Sequence, residues 1–455
     1  MKKFFGEIDL TVGNIFKNLL MFSLPFFLSY FLNSLYSAID LFFIGQFSDN
    51  INSAAVSSGT TIMFAINSII AGLATGGTVV IGKYFGAKNK DIDAVTKNFI
   101  VYMGIVAISL TLLMLALFYP IITLMKIDGE EAQKLARIYL LILVCGIPFY
   151  TGYTSISAIM RGLGNSFIPF IILLVAVISN IGLDALFVPF MGATGAAIAT
   201  LLGEVIGFGV ALLFLLKRKL PYKIEFNLKL QKEYISQIVK SGLPIAIQDG
   251  LVVISFAIIL ASVSVRGIDY TSAVGITDRV TSFGFVPLSA LGSAISTSTA
   301  QNMGANKIDR VKKYMYYGLL LAVILGGLVG GACQLFPRQL ASLFASNQPE
   351  ALEIAIPYIQ STSLDIFVCI FVFPINAIFI GSGHSLFAMF QNLFATFIVR
   401  IPVALVFALV LNQSMYVVGL AYCISTAVSL LLCVIFYLSK KWMVPFKFKK
   451  QEWKK

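Results

Sequence analysis

Eight charged side chains fall inside stretches that are otherwise apolar: Asp40, Asp184, Glu204, Asp249, Asp278, Arg279, Asp365 and Arg400. An ionised group at the centre of a bilayer costs at least about 2.5–3.5 kcal/mol, so such groups face an interior cavity and mark the route of an ion or a solute. Three of them have polar companions at helical spacing. Asp40 follows Tyr36 by four residues and Asn33 by seven; Asp184 follows Asn180 by four, and Glu204 follows Thr200 by four. Residues three or four apart share a helix face, so each set forms one polar stripe. Carboxylates grouped with an amide and a hydroxyl supply hard oxygen ligands for Na⁺. They hold a proton equally well, because desolvation and a second carboxylate both favour the protonated acid.

Each of these residues also has a plainer reading. Asp40 and Asp184 fit interfacial helix ends. Glu204 fits a mid-bilayer carboxylate or a polar contact between helices. Asp278 and Arg279 are adjacent, point about 100° apart and need not pair. Arg400 fits a partner for a buried carboxylate or a structural ion pair, and Asp249 with Asp365 fits a second ionisable site in the other half of the chain. His384, the only histidine, reads as a loop residue at the start of a span.

The elements that must position these groups are membrane helices. The 455 residues are 58% hydrophobic and 12% charged, with mean hydropathy +0.90; a soluble domain is about 25% charged. Only helices and closed barrels satisfy their backbones in lipid, and the apolar runs are too long and too uniform for barrel strands. Twelve spans are predicted, at about 18–44, 54–81, 99–125, 135–159, 167–190, 193–216, 238–264, 273–300, 314–336, 355–379, 386–411 and 415–438. The first is not a cleavable leader: it is too long and contains Asn33 and Asp40.

The net charge of +12 does not indicate nucleic acid, because the basic residues alternate between loops. All Lys and Arg lie in the first segment, the even-numbered loops and the tail, except Lys126, Lys134, Arg137, Arg266, Arg338 and the in-span Arg279 and Arg400. The positive-inside rule then predicts an inner-membrane protein with both termini in the cytoplasm. The five cysteines sit in apolar spans without a CxxC pair, which argues against a zinc site. Gly77 to Lys83 approaches a phosphate-binding loop but has Tyr84 where a hydroxyl must hold Mg²⁺, and it lies inside an apolar helix. An ion gradient is therefore the expected energy source, with no cofactor beyond H⁺ or Na⁺ and no enzymatic activity.

The chain repeats itself at an offset near 218. Ser23-Leu24-Pro25 matches Gly242-Leu243-Pro244, Gly86-Ala87-Lys88-Asn89 matches Gly304-Ala305-Asn306-Lys307, Arg161 to Ser166 matches Ile380 to Ser385, and Tyr139 matches Tyr358. Six spans per half is an even number, so the halves are parallel repeats about an axis along the membrane normal. Residues 1–216 and 238–440 form the predicted lobes, 217–237 the cytoplasmic linker and 441–455 a basic tail. Pro25 and Pro244 open spans one and seven, where proline removes a backbone bond and favours a kink. Small residues such as Gly72, Gly76, Gly203, Gly326, Gly327 and Gly331 read as helix packing positions.

With these motifs in one order and register, the sequence resembles the multidrug and toxic compound extrusion (MATE) family over nearly its whole length. It is most similar to prokaryotic members with a span-one aspartate and a span-five Asn-x-x-x-Asp pair. The resemblance implies an all-α fold of two six-helix bundles and a polar ion-coupling pocket in the first lobe holding Asp40, Tyr139, Asn180, Asp184 and Thr200. It also implies a bend of span one at Pro25, beside the polar face of Asn33 and Tyr36. The sequence departs from relatives that use a second carboxylate pair: Val252 stands where a span-seven glutamate is expected, and Asp365 lies about a turn from its counterpart. The implied activity is antiport of amphipathic, cationic small molecules against H⁺ or Na⁺ by a monomer. The alternative is a flippase or exporter of lipid-linked oligosaccharide or another polar lipid; an importer and a non-transporting scaffold are further rivals. Acids outnumber bases within the spans, which favours cationic cargo.

Overall fold

Long apolar runs become long helices: α1 (Ile15–Phe47), α2 (Asn50–Gly86), α3 (Ile92–Leu124), α4 (Glu130–Gly162), α5 (Phe167–Lys217), α6 (Lys232–Ser264), α7 (Ile268–Gly304), α8 (Ile308–Leu335), α9 (Pro337–Ser342), α10 (Pro349–Ser382), α11 (Ser385–Leu393), α12 (Ile401–Leu405) and α13 (Met415–Leu438). No strand occurs among the described residues. The computed structural model describes residues 8–47, 50–125, 129–217, 230–345 and 348–444, without the side chains at 37, 38, 40–42, 44–47, 50, 51, 53 and 54. The Asp40 side chain therefore lies outside the described residues, as does most of the predicted linker.

Among the described residues, 11 helical runs are long and apolar enough to cross a membrane. One of them is two crossings. Helix α5 has 51 residues; at 1.5 Å per residue it would be about 76 Å long, against a hydrocarbon core of about 30 Å. It breaks at Gly192, whose φ of 54° and ψ of −133° are non-helical. The second leg begins at Ala193, whose amide donates to Asn52 Oδ1 at 2.8 Å. The two legs are the predicted spans five and six, two helices that meet at the Gly192 kink, and the described residues make twelve crossings. The eleventh crossing runs from α11 through a π-helical stretch, Phe394–Arg400, into α12 and then a second one, Val406–Val410. Large apolar side chains such as Leu112, Phe190, Leu216 and Leu328 are exposed around the outside, as a lipid-facing surface requires.

The two halves trade the first part of a helix. The beginning of α1 supplies Ile15, Leu19, Phe22 and Phe26 to a core otherwise made by α7, α8, α10 and α13. The beginning of α6 supplies Tyr234, Ile238 and Ala246 to the core of α2, α3 and α4. Farther along, α1 reaches α5 through Tyr36, and α6 joins the second-half core through Ile259 and Val263. Pro25 and Pro244 lie inside these two helices, each within the stretch packed on the partner half, since Phe26 and Tyr30 follow Pro25 there and Ala246 follows Pro244. The small-residue expectation divides: Gly72 and Gly76 meet the α6 backbone closely, whereas Gly327 and Gly331 have nothing within 4 Å and lie outside any close helix contact.

Candidate functional site

The bend at Gly192 makes the site. Asp184 lies eight residues before it and Thr200 eight after, so the two legs of α5 carry both to the same depth, about 12 Å from the turn. Asn180 sits a turn farther along the first leg, and a Cβ on Gly203 of the second leg would come within 3.1 Å of the Asn180 Cβ. Asp184 is 0% exposed, Asn180 1% and Tyr139, from α4, 2%. Tyr36 of α1 donates its hydroxyl to Thr200 Oγ1 at 3.2 Å. Four of the five residues assigned to the ion pocket by resemblance therefore come from α4 and the two legs of α5, with Tyr36 linking α1 to them. Asn33 is exposed. A dehydrated carboxylate with an amide one turn away and a hydroxyl at its depth on the facing leg is an arrangement able to exchange a small cation.

One member of this arrangement escaped the sequence reading. An edge of the Tyr139 ring abuts Gly59 of α2, where any Cβ would stand 2.3 Å from the ring's Cδ1. Nothing in the spacing of span two distinguishes Gly59 from the packing glycines around it; only the tertiary contact does.

The remaining candidates separate. Glu204 is half-buried one turn beyond Thr200, with Oε2 lodged against Gly146 of α4 and without a hydrogen-bond donor. Asp278 and Arg279 are exposed, Asp249 is half-buried on α6, and Asp365 is buried on α10. Asp365 lies within electrostatic reach of Arg400 and beside Thr426 and Cys369. Arg400 donates from Nε to Ser425 Oγ at 3.0 Å and from Nη2 to Thr426 Oγ1 at 3.5 Å.

The halves are joined tightly at the end that holds both described termini. Gln301 of α7 donates to the Gly162 carbonyl at 2.9 Å and accepts from the Leu10 amide at 3.1 Å. Asn302 donates to the Leu10 carbonyl at 3.1 Å, and Arg310 and Lys307 bond the carbonyls of residues 10 to 13. Lys83, 2% exposed, donates from Nζ to the Ser382 carbonyl at 3.0 Å, a cation placed at the C-terminal end of α10 where the helix dipole favours it.

A family model described as MatE matches residues 25–186 and 244–406. The chain belongs to the MatE family. The two matched stretches coincide with the two halves of the repeat. This MatE protein is 29% identical to "Probable multidrug resistance protein YoeA" of Bacillus subtilis (strain 168), over 93% of this chain and 94% of that one. It is 28% identical to "Probable multidrug resistance protein YpnP" of the same organism, over 95% and 97%. In fold it is similar to a solved structure described as the outward-facing conformation of a multidrug resistance MATE family transporter of the MOP superfamily. The TM-score is 0.87 at 22% identity, over 95% of this chain and 96% of that one. The expected all-helical architecture of two related bundles is thereby confirmed.

Proposed function

We propose that this MatE protein is a secondary active exporter that exchanges amphipathic, cationic small molecules for H⁺ or Na⁺ by alternating access. The observation that carries this reading is the buried Asp184 and Asn180, with Thr200 at the same depth bonded to Tyr36. It connects an ionisable site to α1, the helix that leaves one half and enters the other. Ion uptake at Asp184 changes the charge beside Thr200; α1 responds by moving at Pro25, where its hydrogen-bond ladder is interrupted. Substrate bound between the halves is then released, and loss of the ion resets the site. Asp40, in the same helix as Pro25, is the second carboxylate of this scheme.

The multidrug names of the relatives support export of drugs over the flipping of an oligosaccharide lipid. We assign the tightly joined end to the cytoplasm, because the basic loops cluster there. The bonds at that end and the outward-facing neighbour then support a state open to the outside.

The test is dye efflux into inverted vesicles. Asp184→Asn is expected to cut gradient-driven transport at least tenfold while leaving the protein folded, and collapsing ΔpH and the Na⁺ gradient separately names the ion. Transport that persists on ATP after both gradients are dissipated rejects the scheme.

A further inference from the structure

An arginine stands between the two halves with its hydrogen-bond donors unused. Arg161 lies in the last turn of α4, and Gly162 beside it accepts the bond from Gln301 that joins the halves. A basic residue at such a helix end ordinarily reaches out to water or back onto the last carbonyls. This side chain instead runs inward along α4, to within electrostatic reach of Tyr153 two turns earlier and Tyr150 three turns earlier. Helix α1 closes the other side. The guanidinium carbon stands 5.2 Å from the centroid of the Phe26 ring, and Tyr30 is within the same electrostatic reach. Phe26 belongs to the second-half core, and Tyr30 shares a hydrogen bond of 2.9 Å with Ser293 of α7. Arg161 therefore faces the seam between the halves, where the exporter reading places cargo.

A structural ion pair is the plain alternative, and it is not formed. Among the described residues Arg161 makes no hydrogen bond and no salt bridge, and its charged or ionisable neighbours are phenols alone. Glu204 shares Tyr150 and Tyr153 as neighbours, but its Oε2 is lodged at Gly146, about 22 Å along α4 from residue 161. Nor does the turn after α4 require an arginine: the repeat puts Ile380 at the matching place. A half-buried cation without a counter-ion is unfavourable, and an acidic ligand removes that cost. The guanidinium is a planar fork of donors that fits a carboxylate or sulfonate. The walls suit a flat molecule. Tyr150 and Tyr153 meet edge to face with centroids 5.2 Å apart, and they are half-buried, as are Tyr30 and Arg161.

We propose that Arg161 is an anion seat in the cargo site and extends export to flat aromatic molecules bearing a carboxylate or sulfonate. The acid pairs with the guanidinium, and the aromatic body lies among Tyr30, Tyr150 and Tyr153. This rests on the antiport reading for the movement of cargo and goes beyond it in cargo class, since that reading concerns cations.

The experiment compares two dyes with a common xanthene core and opposite charge, fluorescein and pyronin Y, on the full-length protein in phosphatidylcholine proteoliposomes. Anisotropy reads binding, and fluorescence inside the vesicles reads transport. Wild type should bind and carry both. Arg161→Gln should weaken fluorescein binding and transport about tenfold or more, as loss of a charged hydrogen-bonded pair does, without weakening pyronin Y. Arg161→Lys should keep part of the fluorescein binding. Equal losses for both dyes would make Arg161 structural and overturn the proposal. So would fluorescein binding that Arg161→Gln leaves unchanged. Displacement of bound fluorescein by phosphatidylglycerol in the bilayer would make this a lipid-headgroup seat and also overturn it. Fluorescein bound at Arg161 with neither dye moved by a gradient sinks the antiport scheme and leaves the seat standing. Pyronin Y carried by a gradient with fluorescein unbound sinks the seat and leaves the antiport scheme standing.

Discussion

At the scale of single residues, burial decides which of the in-span charges matter. Asp184 is wholly enclosed, so its charge state cannot be neutralised by bulk water and must be answered by neighbours. Asn180→Ala should therefore weaken coupling less than Asp184→Asn, since it removes a partner and leaves the titrating group; the ratio of dye efflux to ion influx measures this. Gly59 offers a sharper test. A Cβ there collides with the Tyr139 ring, and overpacking of this kind costs about 1–3 kcal/mol. Gly59→Ala should lower thermal stability and impair transport together, and Gly59→Ala with Tyr139→Leu should restore stability without restoring coupling. The carboxylates themselves were legible in the sequence because an acid in an apolar run is conspicuous. The role of Gly59 was not, because a glycine's contact partner lies on another helix and leaves no periodic trace.

At the scale of helices, a proline and a glycine do opposite things. Gly192 ends one leg of α5 and starts the next by adopting a positive φ of 54°, which sets Asp184 and Thr200 level. Pro25 leaves α1 continuous but removes one backbone hydrogen bond, and in a helix interior it is about 3 kcal/mol less favourable than alanine. The orphaned acceptor is the Met21 carbonyl one turn earlier; Ser29 donates its hydroxyl to the Pro25 carbonyl at 2.8 Å, on the other side of the gap. Pro25→Ala should yield a protein at least as heat-stable as wild type that transports several-fold more slowly; unchanged efflux would remove Pro25 from the mechanism. Hydrophobic runs and turn residues identified the spans. They separated span five from span six, where Gly192 leaves helical geometry. They did not show the π-helical eleventh crossing, whose hydrogen-bond shift has no compositional mark.

At the scale of the whole molecule, opening requires that the bonded end come apart. Gln301 alone contributes two buried hydrogen bonds between halves or to the first segment, together about 1–3 kcal/mol. Gln301→Ala should move the balance toward separation at this end by about tenfold or more, read as a longer spin-label distance between the ends of α4 and α7. His384 adds a pH dependence to the same end. Its Nδ1 lies 3.0 Å from Ser382 Oγ, and burial, then the Lys83 charge, hold its imidazole below the ordinary 6.5. The neutral ring is the one the fold accepts, so its contribution is intact above that value and is lost as pH falls through the window beneath it. Melting curves should show an acid-side decline that His384→Gln flattens.

The exchange of helix beginnings has a consequence for how such a protein is made. Leu10, Leu19 and Phe22 emerge first from the ribosome, yet their packing partners on α7 and α10 are more than two hundred residues behind them. The first six crossings inserted alone would leave these side chains, and the Leu10 backbone groups that Gln301 and Asn302 serve, without their seats. A gene cut between residues 217 and 230 should therefore give two fragments that are each degraded when produced singly and persist when produced together, so that neither half could have survived in its present form as a free-standing ancestor.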